Sequence, residues 1–174
     1  VGLVEHGAQT SVSGRGQVDA YAGDLITCNP GEVHDGRPLG GTCRRWRLLA
    51  IEPSAMAAVS FSPARGGRAT FEITQPVIRD EEMRAAFSTL LGRIHRWQQA
   101  HTGRDAHRLA CDEALVDTMA LMATRYTATP PEEGAEGQIK HVRDRLADET
   151  SESPTLAGLA AMSGMSQYQL VRRF

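Results

Sequence analysis

No apolar run in this sequence approaches the roughly 18 residues that a membrane-spanning helix needs, and the N-terminus lacks the basic-then-apolar architecture of a secretory signal. Cysteine is scarce. Cys28, Cys43 and Cys111 make an odd count with no metal-like spacing. They fit buried or free thiols in a reducing compartment, so a cytoplasmic location is expected. An excess of positive charge is missing too. Nineteen Lys and Arg meet 21 Asp and Glu, for a net charge of −2. No global basic field is there to attract nucleic acid.

What is present reads as an ordinary globular chain of one to two domains. Its 174 residues are 41% hydrophobic and 23% charged, long enough to bury a proper core. Residues 1 to 73 carry strand and turn signals. Val1 to Glu5 is a short apolar run. Gln9–Ser13 and Gln17–Tyr21 flank Gly14-Arg15-Gly16, a hairpin signal. Leu25–Cys28 reads as a buried strand stopped by Asn29-Pro30-Gly31. Arg45–Ile51 is the clearest strand, and Thr70–Thr74 alternates Phe71 and Ile73. Residues 57 to 68 read as loop. Many short strands at close spacing predict an antiparallel sandwich or barrel. On Arg45–Ile51, alternation puts Trp46, Leu48 and Ala50 on one face, and Arg45, Arg47, Leu49 and Ile51 on the other. Sequence alone does not orient these faces, so Trp46 is either pocket wall or core. Arg37, Arg44, Arg45 and Arg47 form either an anion-binding rim or a solvated strand face.

Then the period changes. Asp80 is placed to cap a helix whose first turn holds Glu81 and Glu82. Met83, Phe87, Leu90, Ile94 and Trp97 follow at steps of four and three, the spacing of a packing seam. His101-Thr102-Gly103 separates this helix from a second, about Arg104 to Tyr126, with an apolar stripe of Leu109, Cys111, Leu115, Val116, Met119 and Met122. Two long helices with a short connection pack antiparallel. Their seam is filled by the sheets, by each other or by a second subunit. Thr127–Gly137, rich in Pro, Gly and Glu, reads as a linker and domain boundary. A helix follows over 138–149, with Ile139, Val142 and Leu146 inward.

The tail, Thr155–Phe174, reads as helix, turn, helix. Leu156, Leu159, Ala160 and Met162 form the first apolar face, and Ser163-Gly164-Met165 breaks it. Ser166 and Gln169 make a capping box for the second helix, with Leu170 and Phe174 inward. Ile139 to Phe174 carries five Lys and Arg against four Asp and Glu. This piece alone is expected to bind DNA poorly.

Leu156, Leu159-Ala160, Gly164-Met165-Ser166, Leu170, Arg172 and Phe174 make the tail resemble the first helix-turn-helix of the AraC/XylS transcription regulators. Gly23 to His34, with Pro30-Gly31 and then His34, resembles the second motif of cupins, the barrel those regulators use as sensor. The resemblance implies an α+β chain in three parts. Residues 1–126 are a cupin-like, jelly-roll β-barrel with a two-helix hairpin, which binds an effector and dimerises through helices 80–126. Residues 127–137 are a linker, and 138–174 are an incomplete helix-turn-helix domain that continues past Phe174. It implies a small-molecule effector at His34, Trp46 and Leu48. It turns Gln167, Tyr168, Val171 and Arg172 toward DNA, with Arg172 on a guanine or a phosphate. No catalytic residue, metal or cofactor is expected. The rival is a metal-dependent cupin enzyme, an isomerase or dioxygenase, but the H-x-H pair of cupin enzymes is missing. His34 alone cannot make a metal site, which needs three or four ligands.

Overall fold

The computed structural model describes residues 1–13, 16–32, 34–41, 43–52, 54–56, 72–128, 135–147 and 153–174, with backbone alone at 128, 135, 136, 168, 172 and 173. The loop expected over 57–68 and the centre of the expected linker lie outside the described residues.

Alternation over the first 21 residues builds β1 (Gly2–His6), β2 (Ala8–Ser13) and β3 (Gly16–Tyr21). The β2–β3 hairpin runs in register from Ala8 opposite Tyr21 to Ser13 opposite Gly16, as its turn residues predict. Gly7, at φ +77, bends the chain between β1 and β2. The two strands therefore enter different sheets although one residue separates them. The remaining strands are short: β4 (Leu25–Ile26), β5 (Arg37–Pro38), β6 (Arg45–Leu48), β7 (Glu72–Ile73), β8 (Val77–Ile78) and β9 (Thr127–Ala128). Strands expected over 25–28 and 45–51 are present but shorter, and the one expected over 70–74 is strand at Glu72–Ile73, with 70 and 71 outside the described residues. Thr127–Ala128, expected in the linker, instead pairs with β7.

The ladders are antiparallel. One sheet has the order β6-β1-β4-β8, a second β3-β2-β5, and β7-β9 forms a third. This gives a mixed α/β architecture with antiparallel sheets. Among the described residues no sheet closes, so the expected barrel is not a continuous ladder. The edge strands β3 and β8 meet through a side chain instead. Arg79 Nη2 donates to the Asp19 carbonyl at 2.7 Å.

Two helices cover one face of the first sheet. Helix α1 (Glu81–Gln99) starts where expected, with Asp80 accepting from the backbone N–H of Glu82 and Met83. Helix α2 (Arg104–Tyr126) follows Gly103, which adopts φ +62. Leu3, Leu25 and Ile78 of the sheet pack on Met83, Phe87 and Met122 of the helices. Each such side chain, fully buried, contributes about 1.5–3 kcal/mol. The predicted seam holds at Met83, Phe87 and Leu90, which are all fully buried. On α2, however, Leu109 is 71% and Val116 51% exposed. At about 100° per residue Leu109 lies some 200° around the axis from buried Cys111, and Val116 falls close to its line seven residues on. The predicted Cys111, Met119 and Met122 are buried, and the stripe takes in Ala114, Thr118 and Tyr126 besides.

Three further helices, α3 (Ala135–Ala147), α4 (Leu156–Ser163) and α5 (Gln167–Arg173), enclose a separate small core of Ile139, Val142, Leu159, Ala160, Met165 and Leu170. Gly164 at φ +64 ends α4, and Ser166 and Gln169 form the expected capping box on α5. That core is too small to cover every predicted inward residue. Leu146, Leu156, Met162 and Phe174 are exposed. The ring of Phe174 packs instead beneath the Arg143 guanidinium, 5.7 Å away. Among the described residues no helix is long and apolar enough to cross a membrane.

Candidate ligand site between the sheets

Register decides which side chains face the space between the two larger sheets. On the first sheet, Gly2 lies opposite Ile26 and Leu48, Ile26 opposite Val77, and Val4 opposite Trp46. These residues share one face. The other face carries Leu3, Leu25 and Ile78 and is spent on the helices. Gly2 lets Leu48 close over the strand, with Leu48 Cδ1 3.4 Å from where a Cβ would stand. Leu49 and Ile51 lean toward the helix core, which orients the strand that sequence left open. Trp46 and Leu48 are 41% and 63% exposed on the free face. Both are exposed side chains, not core.

The second sheet offers a more polar face. Ser13 bridges His34, Thr10 pairs with Arg37 and Gln9 with Pro38. The same register sets Ser11 opposite Gly36, so Gln9, Ser11, His34 and Gly36 share a side. Gln9 is buried there, next to buried Ala20 across the β2–β3 ladder. His34 Nδ1 lies 3.2 Å from Cys28 Sγ and 3.3 Å from the Glu32 carbonyl. These contacts join His34 to the turn around Pro30-Gly31. Among the described residues, no three His, Cys, Asp or Glu side chains gather into a metal-binding set.

Arg44 reaches across from the start of β6. Its Nη1 donates to Gln9 Oε1 at 3.0 Å and its Nη2 to the Gly36 carbonyl at 2.8 Å. Gln9 Nε2 in turn donates to Ser11 Oγ at 2.9 Å. At the far seam a cleft of about 380 Å³ opens between β3 and β8, lined by Val18, Asp19, Gln75, Pro76, Val77 and Arg79. Its apolar walls, Val18 and Val77, belong to the two inward faces. None of His34, Trp46 and Leu48 lines it. The cleft and the predicted residues therefore share no lining side chain. Sequence singled out His34, Trp46 and Leu48, but passed over Gln9, Ser11 and Gly36. For Gln9 and Ser11 the only sequence signal was the alternation of β2.

Of the predicted DNA-facing residues, all four sit on α5. Gln167 is half-buried and Val171 is 62% exposed. The side chains of Tyr168 and Arg172 lie outside the described residues.

Comparison with known proteins gives one match. Residues 1–116, two thirds of the chain, fit the family model of the AraC-like ligand binding domain. No curated protein and no solved structure matches the chain significantly.

Proposed function

The chain belongs to the family of AraC-like ligand-binding domains, and from that premise we propose that it is the sensing part of a ligand-responsive transcription regulator. A small effector enters the space between the sheets and lies against Trp46 and Leu48, with His34 at its edge. The chain is a sensor without catalytic chemistry of its own and works in the cytoplasm. Residues 138–174 are the start of its DNA-reading part, in which Gln167, Tyr168, Val171 and Arg172 of α5 face the major groove. Helices α1 and α2 hold two copies together, and the exposed pair Leu109 and Val116 supports a contact there.

The observation that carries this reading is the family match over both larger sheets, α1 and half of α2. The effector acts only insofar as it binds one arrangement of sheets, helices and linker better than another. The test uses a protein that carries a complete DNA-binding region. Arg172→Ala is expected to weaken its gel shift on DNA from upstream of its own gene. A small molecule that raises its melting temperature is expected to change the same shift. Unchanged binding in both experiments refutes the proposal. Stoichiometric iron, manganese or nickel in the purified protein would instead favour a metal-dependent cupin enzyme.

A further inference from the structure

Two polar groups meet where the sheets reach the terminal helices. Ser166 Oγ donates to Glu72 Oε2 at 2.7 Å. Glu72 lies on β7 and is buried. Ser166 is the N-cap of α5, and both it and Gln167 are half-buried. Apolar packing does not make this junction. Among the described residues, the buried clusters of the sheets and long helices include no residue of the terminal helices, whose own cluster is separate. A junction made by polar contact, without a shared core, is free to open and close.

Glu72 is not free to follow α5 away. Its strand pairs with β9, Glu72 opposite Ala128. The next residue, Ile73, is held at both backbone groups by Asn29, at 2.9 and 3.1 Å. The Thr74 N–H donates to the Tyr126 carbonyl at 2.8 Å. Movement of α5 off β7 therefore breaks the Ser166 bond. The same contact sets a carboxylate against the first residues of α5. A recognition helix reads base edges with its N-terminal residues, and DNA brings a dense row of phosphate charge alongside them. A fixed carboxylate at that place repels the phosphates, and half-burial of Gln167 withdraws part of its surface from a base. The start of α5 can serve Glu72 or a major groove, but not both at once.

We propose that Glu72 is an autoinhibitory catch, which keeps α5 against the sheets and off DNA until the bond to Ser166 is released. This rests on the reading of α5 as the DNA-reading helix.

The test is a gel-shift titration of a protein that carries a complete DNA-binding region, on DNA from upstream of its own gene. A catch withholds part of the binding-competent population, so its loss raises apparent affinity in proportion. Glu72→Ala is expected to bind about tenfold more tightly than wild type, the equilibrium worth of one hydrogen bond to a charged group. Glu72→Gln keeps the size and a neutral acceptor, and should gain by a smaller factor. It carries the test alone if circular dichroism shows the alanine variant to be unfolded. Neither variant should melt above wild type, so better folding cannot supply the gain. Glu81→Ala removes one carboxylate from an exposed position at the start of α1 and should leave the titration unchanged. Folded Glu72 variants that bind no more tightly than wild type would overturn the catch and leave the regulator standing. An equal gain in Glu81→Ala would also overturn it, because loss of any negative charge would then suffice. Absence of DNA binding in wild type and every variant would overturn the catch together with the DNA-reading role of α5.

Discussion

Ser166 Oγ donates a hydrogen bond to Glu72 Oε2 across 2.7 Å, although 94 residues separate them in sequence. Glu72 is buried on β7, and β7 is the partner of β9 at the exit of α2. Ser166 meanwhile caps α5, accepting from the Gln169 backbone N–H at 3.0 Å. One hydroxyl thus ties the start of α5 to the sheet at the end of the helix hairpin.

A double-mutant cycle tests that tie. Glu72→Ala and Ser166→Ala should couple by about 1.5–3 kcal/mol, the usual range for a hydrogen bond to a carboxylate. Ser166→Ala alone should also lose its cap, roughly another 1 kcal/mol. Additive losses in urea unfolding would show that the two residues do not meet in solution.

Acid should weaken the helix hairpin through Asp80. Its carboxylate accepts from the Tyr126 hydroxyl, from Arg125 and from the backbone of Met83, and these bonds hold its pKa far below the ordinary 3.8. A depressed carboxylate pKa means stability that is present above the unfolded value and lost as pH falls through the folded one. Tyr126 is shifted the other way, above 10, by burial and then by its bond to Asp80. Its share is present below pH 10 and is lost as pH rises through the raised value. Between about pH 4 and 10 this cluster should therefore contribute a constant amount. Asp80→Asn should lower the melting temperature at pH 7 and flatten its fall below pH 4. A variant with the wild-type acid profile would contradict this account.

The parts of the fold that local chemistry dictates were readable in advance. The hairpin around residues 14–15 followed from its glycines, the Asp80 cap from its position before a periodic run, and the α5 capping box from Ser166 and Gln169. Two-residue strands such as β5, β8 and β9 carry too few residues to show a period. Only tertiary pairing makes them strands. Leu109 and Val116 misled because apolar identity was counted without the angle each occupies. Of the candidate site, alternation made legible that Trp46 and Leu48 share a face, but not which way that face points. The bonds from Arg44 to Gln9 and to Gly36 span 35 and 8 residues of sequence, and only the folded chain brings the three together.

Asn29 stands in for a missing stretch of ladder. Its Oδ1 accepts from the Ile73 N–H at 2.9 Å and its Nδ2 donates to the Ile73 carbonyl at 3.1 Å. The side chain is buried, so Asn29→Ala leaves both backbone groups of Ile73 without these partners. A loss of about 2–3 kcal/mol is expected in denaturant unfolding, with faster amide exchange concentrated at Ile73 and Thr74. Exchange rising evenly over the whole chain would argue against a local role.

Gly7 should be the least replaceable of the left-handed glycines. Gly7, Gly16 and Gly40 all have positive φ, at 77°, 97° and 74°. An alanine at Gly16 or Gly40 would meet nothing within 4 Å, so it pays backbone strain alone, about 1–2 kcal/mol. At Gly7 the new Cβ would stand 2.6 Å from the Cys43 carbonyl oxygen and 3.2 Å from Arg44 Cα. These are backbone atoms, so relief requires the segment before β6 to move. That segment carries Arg44, and β1 would have to shift with it. Gly7→Ala should therefore destabilise more than either of the other two substitutions. It should also weaken any response of Trp46 to added ligand, which the alanines at 16 and 40 should leave intact. Equal melting temperatures for the three variants would mean that the bend between β1 and β2 has room to spare and that the two sheets are not set by this contact.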